Sequence, residues 1–69
     1  MALKVELEQE DDGRWIAEVP DLPGVLAYGD TRESAVRAAQ ALALRVVADR
    51  LEHGETVPEA ILAVFHAAA

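Results

Sequence analysis

The feature that most constrains the fold is the segment Val-Pro-Asp-Leu-Pro-Gly at residues 19–24, which holds two prolines within four residues. Each proline fixes its own φ and lacks a backbone N–H, so this segment cannot lie inside a helix or a central strand. Gly24 directly follows Pro23 and can adopt the positive φ that some tight turns require. The segment therefore predicts a rigid corner between two elements, with a tight turn at Pro23-Gly24.

Alternating side chains predict strands on both sides of this corner. In residues 2–9 apolar side chains alternate with charged ones, which is typical of a half-buried strand. Asp12-Gly13 separates this run from a second alternating run at residues 15–19, and an Asp-Gly pair in that place favours a β-hairpin. Residues 25–28 can form a short third strand, so we expect an antiparallel three-stranded meander.

The next segment, from residue 31 to residue 51 or 53, predicts one long helix. Asp30 or Thr31 can cap its N-terminus, Gly54 suits the position after its C-terminus, and alanine and leucine favour its interior. Its apolar positions cover an arc of roughly 200°, wider than the ~100° stripe that contact with one sheet requires. The excess predicts either a helix sandwiched between two layers or a subunit interface.

Residues 59–66 are compatible with a strand or with a short helix. Ile, Ala and Phe at 61, 63 and 65 alternate with Leu62 and Val64, which favours a strand covered on both faces. Alanine allows a helix, but the β-branched and aromatic residues favour the strand. We therefore expect an added C-terminal strand, and a single α+β domain over residues 1–69.

Size and composition limit how this chain can stabilise itself. It has 69 residues, no cysteine and only one each of Trp, Tyr and Phe. Disulfides and thiolate metal sites are therefore excluded, and small domains without such staples often gain burial by association. We expect a homodimer or higher homo-oligomer. The candidate interface residues are apolar side chains of the wide helix face and of the C-terminal segment: Leu44, Val47, Leu51, Leu62 and Val64.

The charge distribution indicates which kind of molecule this domain binds. The net charge is −7, and residues 1–30 carry eight acidic side chains against two basic ones. An acidic sheet half argues against direct nucleic-acid binding and favours docking on a basic protein, although solubility alone is the competing explanation. The candidate partner-binding residues are Glu6, Glu8, Glu18, Asp21 and Tyr28.

No apolar segment is long enough to span a bilayer, and no signal-peptide pattern is visible at the N-terminus. We therefore expect a cytoplasmic protein without membrane association.

Together these motifs resemble the HicB antitoxin family. The similarity rests on four groups of residues: Asp12-Gly13-Arg14-Trp15, Val19-Pro20-Asp21-Leu22-Pro23-Gly24, Tyr28-Gly29-Asp30-Thr31, and Glu33 with Ala35. The resemblance implies a partial RNase H-like β-β-β-α-β fold, with the helix packed on one face of the sheet, and dimers or higher assemblies. It also implies a non-enzymatic role in a type II toxin–antitoxin pair, in which the domain binds and masks HicA, a small ribonuclease toxin.

The chain also departs from the family pattern. Many members continue into a DNA-binding domain, and nothing in residues 55–69 can serve as one. The helix carries Ser34, Ala38 and Ala41 where Glu, Asn and Glu are expected, which makes it less polar. An orphan homo-oligomeric module without a toxin partner is therefore the alternative interpretation.

An RNase H-like fold raises a second alternative, a nuclease in which carboxylates hold Mg²⁺. Aspartates in turns and near helix starts are favoured by local hydrogen bonds alone, so a structural role is the preferred interpretation. We expect no catalytic residue, no metal and no cofactor. The candidates for the alternative are Asp11, Asp12, Glu18, Asp21 and Asp30.

Overall fold

A computed structural model describes residues 2–68. Three strands precede two helices: β1 (Glu6–Gln9), β2 (Trp15–Glu18), β3 (Leu26–Gly29), α1 (Arg32–Glu52) and α2 (Glu59–Leu62). The strands form one antiparallel sheet in the order β1-β2-β3, and α1 packs against β2 and β3. The predicted meander with one long helix packed on it is confirmed.

The β1–β2 hairpin closes through the turn that Asp12-Gly13 predicts. Gly13 donates its N–H to the carbonyl oxygen of Glu10 at 2.9 Å and has a φ of +91°. Glu10 in turn donates to the carbonyl oxygen of Arg14 at 2.7 Å. A tight turn followed by glycine at positive φ is a common three-residue hairpin connection, and it fixes the register of the two strands.

The corner at residues 19–24 consists of two successive β-turns, each with proline in its second position. Leu22 donates its N–H to the Val19 carbonyl, and Val25 donates to the Leu22 carbonyl, both at 3.0 Å. Gly24 has a φ of +87°, which places it third in a type II turn after Pro23. A third bond, from Val19 N–H to the Val25 carbonyl at 3.0 Å, closes the base of the corner.

Both ends of α1 are set by local hydrogen bonds. Thr31 Oγ1 accepts from the Ser34 N–H at 3.0 Å, while Ser34 Oγ accepts from the Thr31 N–H at 3.1 Å. Thr31 is therefore the N-cap, and Asp30 is not. At the other end Gly54 has a φ of +68°, and Glu55 donates its N–H to the Arg50 carbonyl at 2.8 Å, as in a Schellman motif.

The core lies between α1 and the sheet, and its helix side is built from small residues. The buried positions of α1 are spaced by four, and three of them are alanine, which allows the helix to approach the sheet closely. The largest fully buried side chains are Leu22, Val19 and Val25, so the corner fills the core as well as turning the chain. The buried helix residues are Ala35, Ala39, Ala43 and Val47.

Two sequence-based predictions are corrected here. Val47 is only 4 % exposed and belongs to the core, so it offers almost no surface for a subunit interface. The C-terminal strand expected within residues 59–66 is wrong, since residues 59–62 form the short helix α2 and no strand follows β3 within residues 2–68. A segment with alternating side chains forms a strand only when a neighbouring strand supplies hydrogen-bond partners for its backbone. Local bonds satisfy the backbone instead, with Ile61 donating to the Pro58 carbonyl at 3.1 Å.

Between residues 2 and 68, no helix combines the length and the apolar character needed to cross a bilayer.

Candidate protein-binding surface

The face of the sheet that points away from α1 carries two cross-strand rows of side chains. Residues that pair directly across antiparallel strands point to the same side of the sheet, and successive residues alternate. The row that contains Leu7, Ala17 and Ala27 faces α1, because Ala17 is fully buried. The neighbouring rows therefore form the open face, and they comprise Glu6, Glu18 and Leu26, and Glu8, Ile16 and Tyr28.

Three carboxylates lie close to Ile16 on strands β1 and β2 of this open face. Glu6 and Glu18 are direct cross-strand partners, and like charges in that relation destabilise a sheet. Glu8 lies opposite Ile16, and these four residues together with Leu7 line a hollow of about 350 Å³. Lys4 lies 3.6 Å from Glu6, but both side chains are largely exposed, so this ion pair offsets little of the repulsion. The arrangement concentrates negative charge next to the apolar side chain of Ile16.

Tyr28 is held at one end of the open face by the β1–β2 turn. The Arg14 guanidinium carbon lies 4.5 Å from the centroid of the Tyr28 ring, a cation–π geometry. Asp12 fixes Arg14 from the other side, because its Oδ1 accepts the Arg14 backbone N–H at 3.0 Å and its Oδ2 lies 3.6 Å from Nε. The tyrosine is 46 % exposed, so its ring remains available to a partner.

The structure brings four of the five predicted partner-binding residues onto the open face. Glu6, Glu8, Glu18 and Tyr28 lie there, whereas Asp21 is exposed in the first turn of the corner, outside the strands. The sequence did not assign Leu26 to this surface. The strand register places Leu26 there, because Leu26 pairs with Glu18 and therefore lies on the same side of the sheet.

The aspartates that the sequence suggested as metal ligands occupy turns and the approach to a helix. Asp12 makes the local bond to Arg14, and Asp30 precedes the N-cap Thr31. Within residues 2–68, no three His, Cys, Asp or Glu side chains are grouped so that they could hold a metal ion.

These features define a small two-layer α+β domain whose exposed sheet face is acidic and partly apolar. The sequence profile of the HicB-like antitoxin of bacterial toxin–antitoxin systems matches residues 3–67, which is nearly the whole chain. The chain therefore belongs to the HicB-like antitoxin family. Searches of the curated proteins and of the solved structures give no significant match.

Proposed function

We propose that this domain is the antitoxin of a type II pair and that its open face binds and masks a small basic HicA-type ribonuclease. Family membership supports the antitoxin role. The single observation that carries the choice of surface is the Glu6–Glu18 pair. It places like charges side by side where they destabilise the free domain, and a cationic partner relieves that repulsion.

The chemistry of the proposed partner fits this surface. A ribonuclease that binds RNA needs a basic surface to neutralise the charge of the phosphates. Carboxylates presented on a rigid sheet compete for the same Lys and Arg side chains. Ile16 on the central strand and Leu26 and Tyr28 on the edge strand β3 add apolar contact area beside the carboxylates, and buried apolar and aromatic contacts carry much of the binding energy in protein interfaces. The domain acts by occupying the RNA-binding surface, without catalysis of its own.

The test is the double substitution Glu6→Gln and Glu18→Gln, which removes two charges with little change in shape. We expect the toxin affinity to fall by roughly tenfold or more, since the charged contacts are lost. We also expect the melting temperature of the free domain to stay level or rise, because the cross-strand repulsion is removed. Isothermal titration calorimetry with the purified toxin and a thermal melt provide the two readouts.

The matched control is Asp49→Asn with Glu59→Gln, which makes the same change in net charge on the helices. The control should retain full affinity and should rescue growth when it is co-expressed with the toxin. Equal weakening by both pairs would show that net charge, not the open face, governs binding. A folded wild-type domain that neither binds nor neutralises a HicA-type toxin would favour the orphan oligomeric module instead.

A further inference from the structure

Arg14 lies on the open face, next to Tyr28. The pairing of β1 with β2 extends one step past the two strands, because Glu10 donates its N–H to the Arg14 carbonyl oxygen at 2.7 Å. Side chains alternate along a strand, so Arg14 lies on the same side of the sheet as Ile16. Ile16 pairs directly with Tyr28, which makes Arg14 the diagonal neighbour of the tyrosine. A positive charge therefore lies on the face that is proposed to bind a basic partner.

The Arg14 guanidinium covers the Tyr28 ring but is held there loosely. Its carbon lies 4.5 Å from the ring centroid. The side chain of Arg14 is 52 % exposed, and that of its ion-pair partner Asp12 is 63 % exposed. Nε and Oδ2 of this pair are 3.6 Å apart, whereas a strong charge-assisted hydrogen bond measures about 2.7–2.9 Å. Exposed cation–π contacts and exposed ion pairs are both weak, so a competing cation can displace the guanidinium from the ring.

The surroundings of the ring remain negative even with Arg14 in place. Three carboxylates of the β1–β2 turn line a hollow of about 310 Å³ together with the arginine and the ring: Glu10, Asp11, Asp12, Arg14 and Tyr28. One guanidinium offsets only one of the three negative charges, so the hollow still attracts a second cation. Asp12 also remains beside Arg14 when the guanidinium rotates off the ring, so the displaced charge keeps an acidic neighbour.

We propose that the Tyr28 ring is the binding site for an arginine side chain of the partner, and that Arg14 occupies this site in the free domain. The arginine site rests on the proposed function in taking the partner of the open face to be a basic protein. Arginine suits the ring better than lysine, because its planar, weakly hydrated guanidinium stacks on aromatic faces, whereas an ammonium group is strongly hydrated. Arg14 is therefore an internal competitor, and it lowers the affinity of this face for basic proteins that offer only lysine.

The first experiment uses short basic peptides, so it does not require the toxin. Penta-arginine and penta-lysine are titrated separately into the full chain at equal salt concentration, and NMR gives both dissociation constants and the shifts of the Tyr28 ring protons. The readout is the penta-lysine Kd divided by the penta-arginine Kd, which a change of net charge alone does not alter. We expect Arg14→Gln to raise this ratio about threefold or more, because the ring becomes free for the peptide.

Three further variants show whether the ring is the cause. Lys4→Gln removes the same charge beside Glu6, roughly 13 Å along the strands from the row that contains Tyr28, and should leave the ratio unchanged. In the Arg14→Gln background, Tyr28→Phe keeps an aromatic ring and should keep the raised ratio, whereas Tyr28→Leu should restore the wild-type ratio. Circular dichroism checks that each variant folds. A ratio that Arg14→Gln does not raise, or that stays raised in Tyr28→Leu, would overturn the proposal.

Calorimetry with the toxin separates the arginine site from the proposed function. Arg14→Gln should tighten toxin binding about threefold or more, and Tyr28→Leu should weaken it. A toxin that does not bind the wild-type domain would contradict the proposed function, while the peptide ratios would still decide whether the ring selects arginine. A toxin that binds wild type and Arg14→Gln equally would leave the proposed function standing and overturn the arginine site.

Discussion

Replacing Leu22 by alanine is expected to destabilise this domain more than any other Leu→Ala change. Leu22 is fully buried and lies in the corner, where its side chain is the largest of those completely shielded from solvent. Removing a buried leucine costs about 2–5 kcal/mol, because transfer energy is lost and a cavity remains. A domain of this length has a total stability of roughly 3–10 kcal/mol, so this one change removes a large part of it.

The measurement for Leu22→Ala is a urea or thermal unfolding curve followed by circular dichroism. A loss in this range lowers the melting temperature by roughly 10 °C or more in so small a domain. Leu26→Ala is the matched control: Leu26 is 39 % exposed on the open face, so the same deletion should cost less than about 1 kcal/mol. Similar losses for both variants would mean that the corner does not fill the core.

Replacing Gly29 by alanine is the second change with a large expected effect. A Cβ at Gly29 would overlap the Ser34 hydroxyl and the backbone nitrogen of Ala35, and would lie 2.8 Å from the Ala35 Cα. The helix backbone cannot give way as a flexible side chain could. We expect a loss of about 3 kcal/mol, the upper part of the usual overpacking range, and a melting temperature lowered by roughly 10–20 °C.

A glycine can be required because a neighbouring backbone lies too close for a Cβ, or because its φ is positive. Substitution by asparagine at Gly29 and at Gly13 distinguishes these two reasons. Gly13 has a φ of +91° and open space around its Cβ position, and asparagine tolerates a left-handed backbone. Gly13→Asn should therefore cost less than about 1 kcal/mol, whereas Gly29→Asn should unfold the domain. If the thermal melts show Gly29→Asn to be as stable as Gly13→Asn, α1 does not approach β3 as closely as described.

The parts of the fold that sequence reasoning predicts correctly are those that local chemistry determines. Asp12-Gly13 and Pro23-Gly24 dictate turns because glycine accepts the positive φ found at both places. Alternation around these turns then predicts the strands. The sequence predicts the helix start only to within one residue, because Asp30 and Thr31 are both good caps. The Ser34 hydroxyl, which closes the capping box, decides for Thr31.

The sequence-based predictions are wrong where the structure depends on contacts between residues that are far apart in the sequence. Residues 61–65 alternate as a strand does, but within residues 2–68 no strand pairs with them, and the short helix α2 forms at residues 59–62 instead. The sequence predicts both Leu44 and Val47 as interface residues. Only packing against the sheet distinguishes them, because it buries Val47 and leaves Leu44 exposed. For the same reason the sequence alone does not place Leu26 on the open face, since its side of the sheet follows from the pairing with Glu18.

The central claim is that the open face binds the toxin, and nitrogen-15 chemical-shift mapping tests it most directly. The labelled domain is titrated with an unlabelled HicA-type toxin. We predict that the largest shift changes fall on the two open-face rows of residues 6, 18 and 26 and residues 8, 16 and 28. The exposed side of α1, at residues 41, 44, 48 and 51, should show no shift changes. Perturbations confined to α1, or spread evenly over the domain without the sheet standing out, would contradict the claim.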